Sequence, residues 1–155
     1  MRIWPFCEVF YGRPPVANLC LKLQDEYQLH VGLIIWLCWH CAHQRFVSRD
    51  LFQVASLKAK ATYEPFILPL RSIRKQLKHE VSTDAQGAYQ HVLSAEILME
   101  KVLLTSLESE LNDHAQSIQC AETYGLQDYF LANRVDDSAQ HAQFLYASAL
   151  SCVAD

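Results

Sequence analysis

Cys38, His40, Cys41 and His43 fall within the six-residue stretch Cys-Trp-His-Cys-Ala-His. Thiolates and neutral imidazoles are the ligands of structural zinc, so the stretch invites a metal. A closed zinc site needs four ligands, usually as two separated pairs, and no later Cys or His pair has ligand spacing. On a helix, residues 38 and 41 point one way and residues 40 and 43 another, so the four cannot converge on one ion. Haem attachment requires His directly after the second Cys, where this chain has Ala42. A thioredoxin-type motif would need βαβ surroundings, which are absent. The expectation is that the cysteines pack in a core. His40 and His43 are then placed in a last helical turn, suited to the negative helix end. No metal and no cofactor is expected.

A second set of residues carries charge. Gln24 and Asp25 stand beside an apolar stripe, where an amide and a carboxylate need partners. Arg71, Arg74 and Lys78 are spaced i, i+3 and i+7 and share a helix face, with Lys75 beside them. Guanidinium forks match phosphate and carboxylate alike. The row could therefore clamp an anion, or close into ion pairs with Asp25, Glu96 or Glu100. Glu96 and Glu100 share a face at a spacing used in helical carboxylate metal sites. A Glu-x-x-His motif would be needed, and Met99 occupies the histidine position. Asp137 and His141 read as a helix surface pair. GxSxG, HExxH, P-loop and GxGxxG motifs are all missing, so no residue is assigned a catalytic role.

The elements that must position these groups read as helices. Only four glycines and five prolines occur in 155 residues, 51% of them apolar. That composition supports a core and favours helices over many short strands. Trp4, Phe6, Phe10 and Tyr11, in an N-terminal segment 1–14 ended by Pro14-Pro15, are expected to pack over the bundle, with a partner-binding aromatic patch as the alternative. Val16, Leu19, Cys20 and Leu23 follow helical spacing, and Val31 to about His43 is apolar almost all round, as suits a central helix. Ser48 is a candidate cap for a helix with Leu51, Val54, Ala55, Leu57 and Ala61 on its inner face. Pro65 and Pro69 must interrupt or kink that segment before a short basic helix from Leu70 to Lys78. Thr83-Asp84-Ala85-Gln86 matches a capping box opening a helix to about Asn112. Its apolar positions are Leu93, Ile97, Leu104, Leu107 and Leu111, with Glu100 filling the gap and Val92, Met99, Val102 and Leu103 widening the stripe. A short helix near Tyr124 to Leu131 and a last one from Asp137 to Cys152 complete an all-α, single-domain bundle of about six helices over residues 1–155, whose part 113–155 is acidic.

Charge is uneven along the chain. Residues 45–78 carry eight basic and two acidic side chains, whereas residues 79–155 carry two basic and twelve acidic ones. Opposed helices facing one another account for this, and a polyanion-binding patch is the alternative. The N-terminus lacks the apolar core of a signal peptide. The longest apolar run, Val31 to Ala42, is 12 residues, too short to span a bilayer. A cytoplasmic location is expected, with the six cysteines as reduced thiols.

Several short blocks occur in an order that resembles a bacterial family. They are Trp4-x-Phe6 with Tyr11, Cys20-Leu21-x-Leu23-Gln24-Asp25, the apolar run ending at Trp39, and Pro69-Leu70-Arg71-x-x-Arg74-x-x-Leu77-Lys78. The family is domain of unknown function 2390, found chiefly in gammaproteobacteria, and the likeness covers roughly residues 4–110. Its pattern has a polar residue after the pair opening the second helix, where this chain has His30-Val31-Gly32. The resemblance implies a small cytoplasmic helical protein and names no reaction.

The leading expectation is a protein-binding or adaptor module. Its candidate surface is Arg71, Arg74, Lys75 and Lys78, with the aromatic N-terminal segment as a second patch. One alternative is nucleic-acid or phosphate-ligand binding through the same row. Another is an enzyme with a polar pocket around Asp25, Arg71, Arg74 and Glu96. The wide apolar stripe on residues 92–111 is compatible with a homodimer.

Overall fold

The computed structural model describes residues 1–80, 82–111 and 124–153, without the side chains of residues 110 and 111. The helix end expected at Asn112, the Leu111 side chain and Cys120 lie outside the described residues. The helices are α1 (Ile3–Tyr11), α2 (Pro14–Tyr27), α3 (Val31–Ala42), α4 (Arg49–Thr62), α5 (Leu68–Leu77), α6 (Thr83–Leu111), α7 (Leu126–Ala132) and α8 (Ser138–Leu150). A π-helical turn, Tyr63–Ile67, joins α4 to α5 without a break. Counting that run as one gives seven helices among the described residues, and no β-strand occurs there. The fold is all-α, as composition and periodicity require.

The helix not expected from the sequence is α1. Pro5 falls in its first turn, where a missing amide costs nothing, so the aromatic segment can coil. Ile3, Phe6 and Phe10 are buried, and the two phenyl rings stack 5.2 Å apart. The Glu108 carboxylate, far along α6, accepts a bond from the Ile3 amide at 3.1 Å. It thereby caps the positive end of α1 and holds the helix on the bundle.

Central position falls to α3, which touches α1, α2, α4, α6, α7 and α8. A helix apolar on every side has no solvent face to offer, so it must be surrounded. Gly32 lets α6 come close: a Cβ there would stand 3.2 Å from Leu103 Cδ2.

Ser48 caps α4 as expected, its hydroxyl accepting from the Leu51 amide at 3.1 Å. The proline-directed interruption takes the form of the π turn. Pro65 has no amide to donate, and its ring would crowd the carbonyl four residues back, so a wider turn relieves the clash. The turn directs Tyr63 and Ile67 towards the interior and leaves Phe66 outside.

Three expectations need correction. The inner face of α4 is Leu51, Phe52, Ala55 and Ala59, while Val54, Leu57 and Ala61 are exposed. The α6 stripe holds from Leu103 to Leu107, but towards its N-terminus Ile97 and Val102 are exposed and Glu96 is buried in their place. Counting apolar residues misplaced that face because a buried arginine partner outweighs the apolar preference. The cap of α6 sits at Ser82, whose hydroxyl accepts from the Ala85 amide at 3.1 Å, one residue before the expected Thr83.

Candidate functional site

Five elements wall a cleft of about 470 Å³: α1, α2, the first turns of α3, the π turn running into α5, and α6. Much of the wall is apolar, with Ile35, Ile67, Leu93 and Leu103 inside it and the more exposed Leu21 and Ile97 contributing side chains. Trp4, Tyr11 and Tyr63 add aromatic surface.

The polar part is built on Arg71, which is 8% exposed. Its Nε donates to Glu96 Oε1 at 2.7 Å, one Nη to Glu100 Oε1 at 2.7 Å and the other to the Tyr63 hydroxyl at 3.2 Å. Arg74 lies one turn along α5 and donates from Nε to Glu96 Oε2, closing a two-guanidinium clamp on that carboxylate. The spacing of three on α5 and of four on α6 makes this meeting possible, because both rows face one another across the helix pair.

The two carboxylates respond oppositely. Burial alone would raise the Glu96 pKa, yet the hydrogen bonds and charges of Arg74 and Arg71 outweigh it and hold the group below its ordinary value. Glu100 receives one guanidinium bond and faces the Glu96 charge, so burial prevails and its pKa is raised. Its side chain remains 41% accessible. Among the described residues no donor reaches Glu100 Oε2.

Two further groups in the wall lack partners. The Tyr11 hydroxyl meets no hydrogen-bond partner among the described residues, and burial beside Cys20, Glu100 and Cys7 raises its pKa. His30 sits between α2 and α3 with its Nδ1 buried and unpartnered, its ring edge-on to Tyr63 at 4.3 Å. Burial lowers the His30 pKa, favouring neutral imidazole.

Of the residues expected to matter, Gln24, Arg71, Arg74 and Glu96 come together in this wall. Asp25 does not: it is exposed, and its carboxylate stands 3.9 Å from the Lys75 ammonium. Lys78 is also exposed and apart from the cleft. His30 and Tyr63 were not foreseen, and Tyr11 was expected to pack over the bundle or to join a partner-binding aromatic patch. The available signal was their position at helix ends and beside Pro65, where chains turn and side chains converge.

The Cys-Trp-His-Cys-Ala-His stretch forms the end of α3. Cys38 is fully buried, and burial raises the pKa of both Cys38 and Cys41, keeping them as thiols. His43 Nδ1 lies 2.8 Å from the Trp39 carbonyl, which can only accept, so this nitrogen carries the proton and serves the helix end. His40 behaves differently. It is 1% exposed, edge-on to Trp36 and Trp39, and neither ring nitrogen has a partner. Burial, with Arg45 and His43 nearby, lowers its pKa to about 3, so it is neutral and gives no charge to the helix terminus. The described residues contain no group of three or more His, Cys, Asp or Glu able to hold a metal ion.

The model of the family described as protein of unknown function (DUF2390) matches residues 2–107. The chain belongs to this family. The matched span includes every residue of the cleft wall, from Trp4 to Leu104. Comparison with curated proteins and with solved structures finds no match. No helix among the described residues is long and apolar enough to cross a membrane.

Proposed function

We propose that this protein binds a small organic molecule in the cleft between α1, α2, α3, α5 and α6. The observation that carries this reading is the cleft itself: about 470 Å³, largely apolar, with an ordered charge network in one wall and unpartnered polar atoms beside it. Concave, mostly apolar sites with a few convergent polar groups are the usual form of ligand pockets. Stability alone is a poor reason for the network, since well-packed apolar residues commonly serve as well as buried ion pairs.

The neutral, solvatochromic dye Nile red tests it. The expected result is one bound dye per chain, with binding lost in Ile97→Trp and Leu21→Trp, which fill the cleft from exposed positions. Loss on Ile73→Lys with Leu98→Lys instead, while Ile97→Trp still binds, would sink the proposal.

That second pair of positions marks the other reading, a protein-binding module. Phe66, Ile73 and Leu98 are exposed and line one apolar groove between α5 and α6. Such a patch suits a protein partner or a second copy of the chain. The basic row supports a polyanion partner less, because Arg71 and Arg74 already face carboxylates. A cytoplasmic setting accords with the free thiols at Cys7, Cys20, Cys38, Cys41 and Cys152.

A further inference from the structure

We infer that the ligand of the cleft is an organic cation, an amine whose ammonium meets Glu100 and whose apolar body lies along Trp4, Ile35 and Ile97. This rests on the reading of the cleft as a ligand site and adds the chemical class.

The charge balance of the wall points this way. Glu8, Glu96 and Glu100 contribute three carboxylates against the two guanidinium groups of Arg71 and Arg74. The cationic donors are the committed groups: Arg71 is spread over Glu96, Glu100 and Tyr63, and Arg74 is turned onto Glu96. What stays open is one carboxylate oxygen, Glu100 Oε2, beside two neutral groups, the Tyr11 hydroxyl and the His30 ring, that can donate or accept. An anionic ligand would find only neutral donors, such as the Tyr11 hydroxyl and the Gln24 amide, unless it pulled Glu96 or Glu100 away from Arg71, and it would add to the surplus of negative charge. A cation completes the network without breaking a bond.

The aromatic wall fits the same ligand. Trp4, Tyr11 and Tyr63 line the cleft, and aromatic rings attract cations, as the Arg71 guanidinium 5.6 Å from the Tyr63 centroid shows. Trp4 already holds one, the Lys101 ammonium at 5.2 Å from its centroid, although Lys101 itself does not line the cleft. A neutral alcohol could donate to Glu100 as well, but would leave the surplus negative charge in place. Burial and the Glu96 charge make the bare Glu100 carboxylate costly, a penalty that a positive donor relieves and a neutral one does not.

Three probes of one chain length separate the classes: hexylammonium, 1-hexanol and hexanoate, titrated by NMR into the whole chain. The expected order is hexylammonium tightest, at least tenfold over 1-hexanol, with hexanoate weakest. In Glu100→Gln the preference for the amine over the alcohol should vanish while Nile red still binds. Hexanoate binding tightest, or equal binding of amine and alcohol, overturns the cation inference and leaves the ligand site standing if Nile red binds in the cleft. Absence of binding by Nile red and all three probes overturns both. Should Glu100→Gln fail to fold, the order measured on the unaltered chain decides alone.

Discussion

Two buried polar regions meet the same problem and solve it in opposite ways. Along α5 and α6, Arg71 and Glu96 are 8% and 4% exposed, yet both keep their charge because each hydrogen-bonds the other's ionised form. At the end of α3, His40 is as deeply buried and has no partner, so it gives its charge up. Burial by itself settles neither outcome. The difference is whether a complementary group arrives from another helix, since desolvation disfavours charge everywhere and only a partner reverses it.

The largest effect comes from breaking the partnered side. Glu96→Leu takes the carboxylate from Arg74 and leaves Arg71 with only Glu100 and Tyr63, and chemical denaturation should register a loss of about 3–5 kcal/mol. Arg71→Met combined with Glu96→Leu should lose less than Glu96→Leu alone, because the under-partnered buried cation is then gone and Glu100, 41% accessible, can turn to water. A double variant at least as unstable as the single one would show that the residues matter through packing and not through pairing.

The unpartnered side is sharpened by pH. The folded pKa of His40 lies at about 3, below its ordinary 6.5. The unfolded chain therefore takes up a proton that the folded chain refuses, and stability falls as pH drops from 6.5 towards 3. The slope is about 1.4 kcal/mol per pH unit for this one group. His30 acts in the same direction, and Glu96 joins only below its ordinary 4.5, because its folded pKa is depressed. Comparing His40→Leu with the unaltered chain between pH 6 and 5 isolates His40: the variant should show a shallower fall. Parallel curves would mean that His40 is charged or solvated after all.

The smallest effect is the surface control. Lys75 and Asp25 stand 3.9 Å apart with side chains 59% and 61% exposed. Lys75→Ala should change stability by no more than about 0.5 kcal/mol in thermal or chemical melts, since water screens such a pair. A larger loss would put Lys75 inside the network.

Much of this contrast was readable from residue order, though not its assignment. The spacing of Arg71 with Arg74 and of Glu96 with Glu100 showed that each pair shares a helix face. The gap that Glu100 fills in the α6 stripe marked an acid among apolar neighbours. Asp25 was misjudged as a buried partner because its place beside Leu23 suggested burial, whereas the helix turns it outward. Glu108, which accepts the Ile3 amide, was invisible because its partner is 105 residues away.

Local sequence determined the helical class, the central place of α3, the interruption at Pro65 and the thiol state of the buried cysteines. Each of those follows from periodicity, from a missing amide or from apolar content within one segment. Tertiary structure alone decided which faces meet: that α5 delivers Arg71 and Arg74 to Glu96, that Tyr11 and His30 border the same cleft, and that no hydrogen-bonding group among the described residues reaches His40. Helix geometry sets which side chains point together, but the identity of the opposing face depends on long-range packing that no single segment encodes.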